Sequence, residues 1–151
     1  MNLTCLGCAD FFIENSNLLV PEVTRTDVVA VQSVLKLRIF KQELKQAVCA
    51  LANSGGGVVL FDCLQQRGTL QPKGDFITEA SKESIMQQII EVFDQVVPKI
   101  SFSQHVHLSF VPVAGQPKTN SQLDFQEGIY VTRLRVWNQE REKLFFYTRG
   151  D

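Results

Sequence analysis

Three acidic residues lie where neighbouring strands could bring their carboxylates together. Glu22 and Asp27 are separated by four residues in a stretch rich in Val and Leu, and Asp62 lies near the end of the apolar run 58–63. Carboxylates on neighbouring strands can hold Mg²⁺ or Mn²⁺, and such an ion activates water and stabilises charge at a phosphodiester. On spacing alone, surface carboxylates are the simpler explanation, because these are three of 16 acidic residues.

Basic residues are concentrated in two places. Arg133 and Arg135 alternate on one predicted strand, and four more cations lie along the first predicted helix, namely Lys36, Arg38, Lys41 and Lys45. The net charge of −1 argues against nucleic-acid binding through bulk charge. A local basic strip would still position the phosphate backbone of a structured RNA without reading its sequence. A solvated helix face explains the helical cations equally well.

The cysteines and histidines form only part of a zinc pattern. Cys5 and Cys8 make a CxxC motif, but no second motif completes four ligands. His105 and His107 alternate on a predicted strand and could in principle meet this pair. The other two cysteines lie inside apolar stretches, where a thiol usually packs as a small core residue. A reduced chain without zinc is the favoured interpretation.

Two further features allow both a structural and a binding interpretation. The glycine-rich turn 53–57 follows a helix, whereas phosphate-binding loops precede one, so a helix cap and tight turn is favoured. Tyr130 and Trp137 could stack on bases, although packing in the core is the commoner fate of aromatic residues on strands.

The pattern of apolar residues predicts the elements that would position these groups. Apolar residues at three- and four-residue spacing predict helices over about 37–51 and 81–96, the second ended by Pro98. Residues 18–33 are predicted to form a strand or a bent hairpin, and further strands are predicted at 58–63 and 102–113 and in two final runs. Residues 64–78 have the composition of a loop. This order predicts an α+β domain, a mixed or antiparallel sheet with two packed helices.

Composition and length favour one globular domain. The chain has 151 residues, of which 44% are hydrophobic and 21% charged, which excludes disordered, collagen-like and strongly basic chains. Residues 1–17 are interpreted as an N-terminal extension and residues 18–151 as the domain. No apolar run approaches the roughly 18 residues that span a bilayer, and no basic region precedes an apolar stretch at the N-terminus. A cytoplasmic protein without membrane contact is predicted.

One stretch resembles the signature of a known family. LKQAVCALANSGGGVVLF is similar to the Schlafen pattern, in which a helix ending in C-A-x-x-N-(S/T)-x-G-G runs into an apolar strand. Upstream, VPEVTRTDVV resembles the family's Pro-Glu followed five residues later by a second acid. The family's second helix and final strands resemble IIEVFDQVVPK, IYVTRLRVW and LFFYTR. The resemblance covers about residues 18–149 and implies the fold of a Schlafen core lobe.

The resemblance also implies a chemistry, which is metal-dependent endoribonuclease action on tRNA or small-RNA precursors. The family's catalytic set is a pair of Glu residues in ExxxxE spacing and an Asp after the strand that follows the Gly turn. By position the pair falls on Glu22 and Asp27, which would be the ligands of Mg²⁺ or Mn²⁺. The third position falls near Gln65, so Asp62, three residues earlier, is the candidate third catalytic acid.

The family's zinc ligands are absent from the matching positions. Ser101 and Ser103 stand where an H-x-C would follow the closing Pro, and Phe145 and Phe146 stand where a Cys pair would lie. This comparison also makes zinc an improbable cofactor.

Schlafen nuclease cores usually have two lobes around RNA, and this chain is one lobe long. The resemblance therefore implies a partner lobe, which is either a second copy or another Schlafen-like chain. The alternative is a non-catalytic lobe that binds RNA or scaffolds an active partner, and the Gln at position 65 favours it.

Overall fold

The computed structural model describes residues 9–16, 18–19, 28–31, 33–66, 69–115, 124–137 and 147–148. The helices are α1 (Lys41–Asn53), α2 (Glu79–Asp94) and the short α3 (Phe102–His105), and a 3₁₀ turn, Val34–Lys36, precedes α1. The strands are β1 (Phe12–Ile13), β2 (Leu18–Leu19), β3 (Val28–Val31), β4 (Gly56–Phe61), β5 (Cys63–Gln66), β6 (Thr69–Pro72), β7 (Asp75–Phe76), β8 (Val96–Val97), β9 (Val106–Gly115), β10 (Asp124–Trp137) and β11 (Tyr147–Thr148).

The described elements form an α+β fold around one mixed sheet. Its strand order is β1-β9-β10-β4-β3, and β7 pairs with the same long strand β10. β10 runs antiparallel to β9 and β4, whereas β3 runs parallel to β4 and β1 parallel to β9. A smaller sheet, β2-β6-β5, and the pair β11-β8 complete the architecture. The predicted α+β class with a mixed sheet and two main helices is confirmed.

The two helices cover one face of the main sheet. Leu44, Val48 and Leu51 recur at helical spacing on α1 and are fully buried. They share one apolar cluster with the buried side of α2 and with Val59 and Leu134 of the sheet. Burial of each such side chain contributes roughly 1.5–3 kcal/mol to folding. The helices are thus fixed by packing on the β4–β10 pair.

The opposite face of the sheet has its own smaller core. Because side chains alternate along a strand, Leu60 and Val131 point away from the helices. They pack with Phe12 of β1 and Leu70 of β6 in a second buried cluster. The sheet therefore has a helical side, covered by α1 and α2, and an outer side, covered in part by the small sheet.

The ends of the helices follow local chemistry. α1 ends at Asn53, and Gly55 with φ +91° lies in the turn before β4. This confirms the predicted helix cap at the glycine-rich turn. α2 begins two residues earlier than predicted, because the side chain of Thr78 accepts a hydrogen bond from the backbone N–H of Ser81 at 3.2 Å. It ends at Asp94, before Pro98.

Three details differ from the sequence prediction. The predicted loop over 64–78 is wrong for most of its length, since β5, β6 and β7 lie there. Short hairpin strands with polar residues and glycines have the composition of a loop, which explains the error. Phe12 and Ile13, in the predicted N-terminal extension, pair with β9. His105 ends α3, so it does not alternate with His107 on one strand.

Among the described residues, no helix is long and apolar enough to cross a membrane.

Candidate functional site

The pairing of β3 with β4 places the start of β3 away from Asp62, the third proposed acidic residue. Glu22 and Asp27 lie outside the described residues. Val28, which follows Asp27 in the sequence, pairs with Val58, whereas Asp62 comes directly after the other end of β4. Four residues of strand correspond to about 13 Å. The described pairing therefore does not bring the start of β3 to Asp62.

Asp62 occupies a sharp junction between the two sheets. Its φ of +61° is unusual for a residue other than glycine, and it breaks the chain between β4 and β5. The Asp62 carbonyl accepts hydrogen bonds from the backbone N–H groups of Lys73 and Gly74, at 3.0 and 3.1 Å. Its side chain Oδ2 accepts one from the Val34 N–H at 3.3 Å. Asp62 thus ties the 3₁₀ turn and the β6–β7 connection to the end of β4.

Two carboxyl groups meet at this junction. The Asp62 carboxyl is hydrogen-bonded to Asp75 of β7, and the Ser33 hydroxyl donates to Asp75 Oδ2 at 2.6 Å. Burial, followed by the hydrogen bond and charge of Asp75, raises the pKa of Asp62 from 3.8 to about 8. Asp62 is therefore mostly protonated at neutral pH and donates its proton towards Asp75. In this state it is a buried carboxylic acid, only 9% exposed.

The described residues do not by themselves make a divalent-metal site. No group of three or more His, Cys, Asp or Glu side chains among them could hold a metal ion. Asp62 and Asp75 offer two carboxyl groups, of which one holds a proton. Glu22 and Asp27 would have to supply the remaining ligands.

Gln65 does not lie beside Asp62. It is exposed on β5, in the small sheet, where it pairs with Leu70. Asp75 and Ser33, which do contact the Asp62 region, were missed by the sequence analysis because they lie in a segment predicted as a loop and at the end of a predicted strand. An Asp beside a Gly in the same segment, Gly74-Asp75, is the only local signal that could have drawn attention to it.

The cations of the first helical segment lie on the helical side of the sheet. Lys36 and Arg38 are exposed on the turns before α1. Lys41 forms an ion pair with Glu91 of α2 at 3.0 Å. Lys45 is only 7% exposed, although the sequence placed it off the apolar stripe. Lys41 and Lys45 line a cleft of about 310 Å³ between α1 and α2, with acidic groups as well as cations along it.

Arg133 and Arg135 lie on the outer side of the sheet. They are two residues apart on β10 and pair with Leu60 and Val58, which places both on the same face. Arg133 is 7% exposed, and its Nε donates to Ser109 Oγ at 3.1 Å. Its Nη1 donates to the Ala9 carbonyl at 2.8 Å. Burial, followed by the charge of Arg135, lowers the pKa of Arg133.

Arg135 lies in an exposed row with aromatic and imidazole groups. Its guanidinium carbon is 5.5 Å from the ring centroid of Trp137. Across the sheet, Arg135 pairs with exposed His107 on β9 and with Val58 on β4, and Val58 pairs in turn with Val28. The start of β3 therefore lies in the same cross-strand row as Arg135. The six predicted RNA-binding cations are thus divided between opposite sides of the sheet.

The second aromatic candidate, Tyr130, is engaged on the helical side. The Lys82 ammonium lies 4.5 Å from its ring centroid, and Phe110 packs against it edge-on. Tyr130 also contacts the apolar core. Core packing, one of the two interpretations offered by the sequence, accounts for it.

The described cysteines carry protonated thiols. Burial raises the pKa of Cys49, and burial followed by the charge of Asp62 raises that of Cys63 to about 12. Both side chains pack against the apolar clusters of the core. Cys5 and Cys8 lie outside the described residues.

In comparisons with known proteins, the chain matches no family model. It also matches no curated protein. The resemblance to the Schlafen family therefore rests on the motifs themselves, of which the central one forms α1, the glycine turn and β4.

Proposed function

We propose that the chain is a Schlafen-like core lobe of an endoribonuclease that processes tRNA or small-RNA precursors. Its assembly is completed by a second copy or by another Schlafen-like lobe. Glu22 and Asp27 are the proposed ligands of Mg²⁺ or Mn²⁺ and, with Asp62, the proposed catalytic acids. Structured RNA is the proposed substrate, and the cytoplasm the proposed location.

One observation carries this proposal. Val28, the residue after Asp27, lies in the same cross-strand row as Arg135. Adjacent strands are about 4.8 Å apart, so the start of β3 and the Arg135 backbone are separated by about 10 Å. A phosphate backbone held by the exposed Arg135 would then pass close to the segment that carries the two proposed metal ligands. This arrangement supports cleavage at the outer side of the sheet.

The same geometry reduces the part that Asp62 can play. Asp62 lies at the opposite end of β4 from this row and is hydrogen-bonded within the chain. Its contribution to catalysis would require a proton loss and a new set of contacts. This favours a second candidate function, a non-catalytic lobe that binds RNA or scaffolds an active partner.

A cleavage assay separates the two functions. End-labelled tRNA and a small-RNA hairpin precursor are incubated with the full chain and Mg²⁺ or Mn²⁺, with EDTA as the metal-free arm. We expect Glu22→Gln and Asp27→Asn to lower the rate at least tenfold while RNA affinity changes less than twofold. The matched control is Glu127→Gln, which changes an exposed acid on β10.

Equal rates in the wild type and both variants would remove these acids from the mechanism. Salt-sensitive RNA binding with no cleavage under any metal condition would overturn the nuclease and establish the non-catalytic lobe.

A further inference from the structure

We propose that Arg135, Trp137 and His107 form a binding site for an unpaired nucleotide, so that the RNA bound on this face is single-stranded. The inference rests on the proposed RNA function and deepens it by naming the substrate class. The three residues lie at one end of the β9–β10 pair on the outer side of the sheet.

The first argument is a partly built stack. The Arg135 guanidinium lies over the indole of Trp137, with 5.5 Å between the guanidinium carbon and the ring centroid. A guanidinium is planar and stacks on aromatic rings, so a base can pack against Arg135 beside the indole. Arg135 is exposed, and so is His107 in the cross-strand position beside it. A base can therefore extend the stack that the protein begins.

The second argument is space beside the indole. The residue paired with Trp137 on β4 is Gly56, which has no side chain to cover the ring from that strand. The end of the β4–β10 pair thus leaves Trp137 only half-buried.

The third argument is charge. Arg133 is held by Ser109 and by the Ala9 carbonyl, and its position two residues from Arg135 brings two like charges together on one face. The negative charge of Asp10 partly offsets this repulsion by raising the pKa of Arg133. Among the described residues, no carboxylate forms an ion pair with Arg135. A phosphate on the exposed Arg135 would offset the positive charge of the pair and be held by charge-assisted hydrogen bonds.

Together these features select an unpaired strand over a duplex. Bases in a stem already have both faces stacked, so they cannot extend the pair Trp137–Arg135. An unpaired base can, and stacking on such a platform contributes about 1–3 kcal/mol per base with little dependence on sequence. The exposed Arg135 supplies the backbone contact. The site is thus suited to a loop, a bulge or a single-stranded end.

The protein carries its own reporter for the test, because Trp137 is the only tryptophan of the chain. The probes are the octamers of uridylate and adenylate and a 12-base-pair RNA duplex, titrated at several salt concentrations while tryptophan emission is followed. We expect both octamers to quench the emission and to bind at least tenfold more tightly than the duplex. Arg135→Gln should weaken octamer binding at least tenfold, whereas Lys99→Gln, which removes an exposed cation outside this site, should change it less than twofold.

A second variant, Trp137→Phe, is followed by the anisotropy of a labelled octamer and should lose several-fold in affinity. Far-ultraviolet circular dichroism of each variant checks that it is folded. Duplex binding equal to octamer binding, or octamer binding unaffected by Arg135→Gln, would overturn the inference. Cleavage of structured RNA without quenching would leave the proposed function standing and remove this site. Quenching of the tryptophan emission without cleavage under any metal condition would leave this binding site standing and remove the nuclease function.

Discussion

At the scale of single residues, the most consequential group in the described chain is the Asp62 carboxyl. It is buried beside a second carboxyl, Asp75, and its own side chain accepts from the Val34 N–H. Burial disfavours the charged form of Asp62, and the hydrogen bond and charge of Asp75 add to this effect, so Asp62 keeps its proton to unusually high pH. Asp62 therefore acts on the fold as a neutral hydrogen-bonding group that joins three segments.

This protonation predicts how stability depends on pH. The pKa of Asp62 is raised from 3.8 to about 8, so between these values the folded chain holds a proton that the unfolded chain releases. Stability must then fall as pH rises through this window and level off above it. Asn at position 62 can still accept from Val34 and donate to Asp75, without a proton to lose. We expect Asp62→Asn to gain stability relative to the wild type by roughly 1–3 kcal/mol between pH 5 and pH 8.

Urea unfolding at a series of pH values measures this difference. Asp124→Asn, which changes an exposed acid at the start of β10, is the control and should run parallel to the wild type. Parallel curves for Asp62→Asn and the wild type would show that the Asp62 carboxyl titrates in its ordinary range.

The sequence could identify Asp62 as a candidate residue, but it could not predict which residues contact the Asp62 side chain. An acid directly after an apolar strand is visible in the pattern. Its partner Asp75 is 13 positions further along and reaches it only because two short hairpin strands fold back. Likewise, the alternation of Arg133 and Arg135 predicts a shared face, whereas the stacking of Arg135 on Trp137 depends on side-chain conformation. Contacts set by local periodicity were predictable, and contacts set by tertiary folding were not.

At the scale of elements, the turn between α1 and β4 connects the helical side to the sheet. Gly55 and Gly56 both have positive φ, of +91° and +122°. They differ in their surroundings. A Cβ on Gly55 would meet nothing within 4 Å, whereas one on Gly56 would lie 2.7 Å from the Val136 carbonyl oxygen and 2.8 Å from the Trp137 Cα.

This contrast provides a matched pair of substitutions. Gly55→Ala carries the backbone cost of positive φ alone, about 1 kcal/mol. Gly56→Ala adds a clash with backbone atoms that cannot move without separating β4 from β10, so we expect a loss of about 3 kcal/mol or more. Urea denaturation with a common slope gives both values. Equal losses would mean that β4 and β10 adjust freely at this end, and that the glycine is required only for its backbone conformation.

The elements differ in how well the sequence anticipates them. α1 and α2 have strong apolar periodicity, β4 is a continuous apolar run, and all three lie close to their predicted positions. The start of α1 is four residues later than predicted because residues 34–40 form a 3₁₀ turn and bends. Residues 64–78 carry short strands whose partners are distant or whose composition is polar, and no local pattern reveals them. A strong apolar pattern thus predicts an element. Short strands form only through pairing with other strands of a sheet, so their positions cannot be read from the local sequence.

At the scale of the whole molecule, the sheet separates two groups of cations. Val34 and Leu37, on either side of Lys36, belong to the core under the helices, which places Lys36 and Arg38 on the helical side. Arg133 and Arg135 lie on the outer side. Sequence patterns give the face of each element but not the side of the sheet on which a helix packs, so the sequence left the relative position of the two groups open. A single RNA strand following the outer side would contact only the second group.

A pair of charge changes tests this division with tRNA as the probe. Arg135→Gln removes one cation from the outer side and should lower affinity about tenfold, with the slope of log K against log salt reduced by about 1. Lys36→Gln combined with Arg38→Gln removes two exposed cations from the helical side and should lower affinity less than threefold, because these cations influence RNA on the other side only through screened, long-range charge. Filter binding between about 50 and 300 mM salt measures the slope of log K against log salt for each variant.

If the double variant Lys36→Gln/Arg38→Gln changed this slope by about 2, the RNA would contact both sides of the sheet. That result would require a path around the edge formed by β3, where the segment carrying Glu22 and Asp27 joins the sheet, and it would relocate the proposed cleavage site from the outer side to that edge.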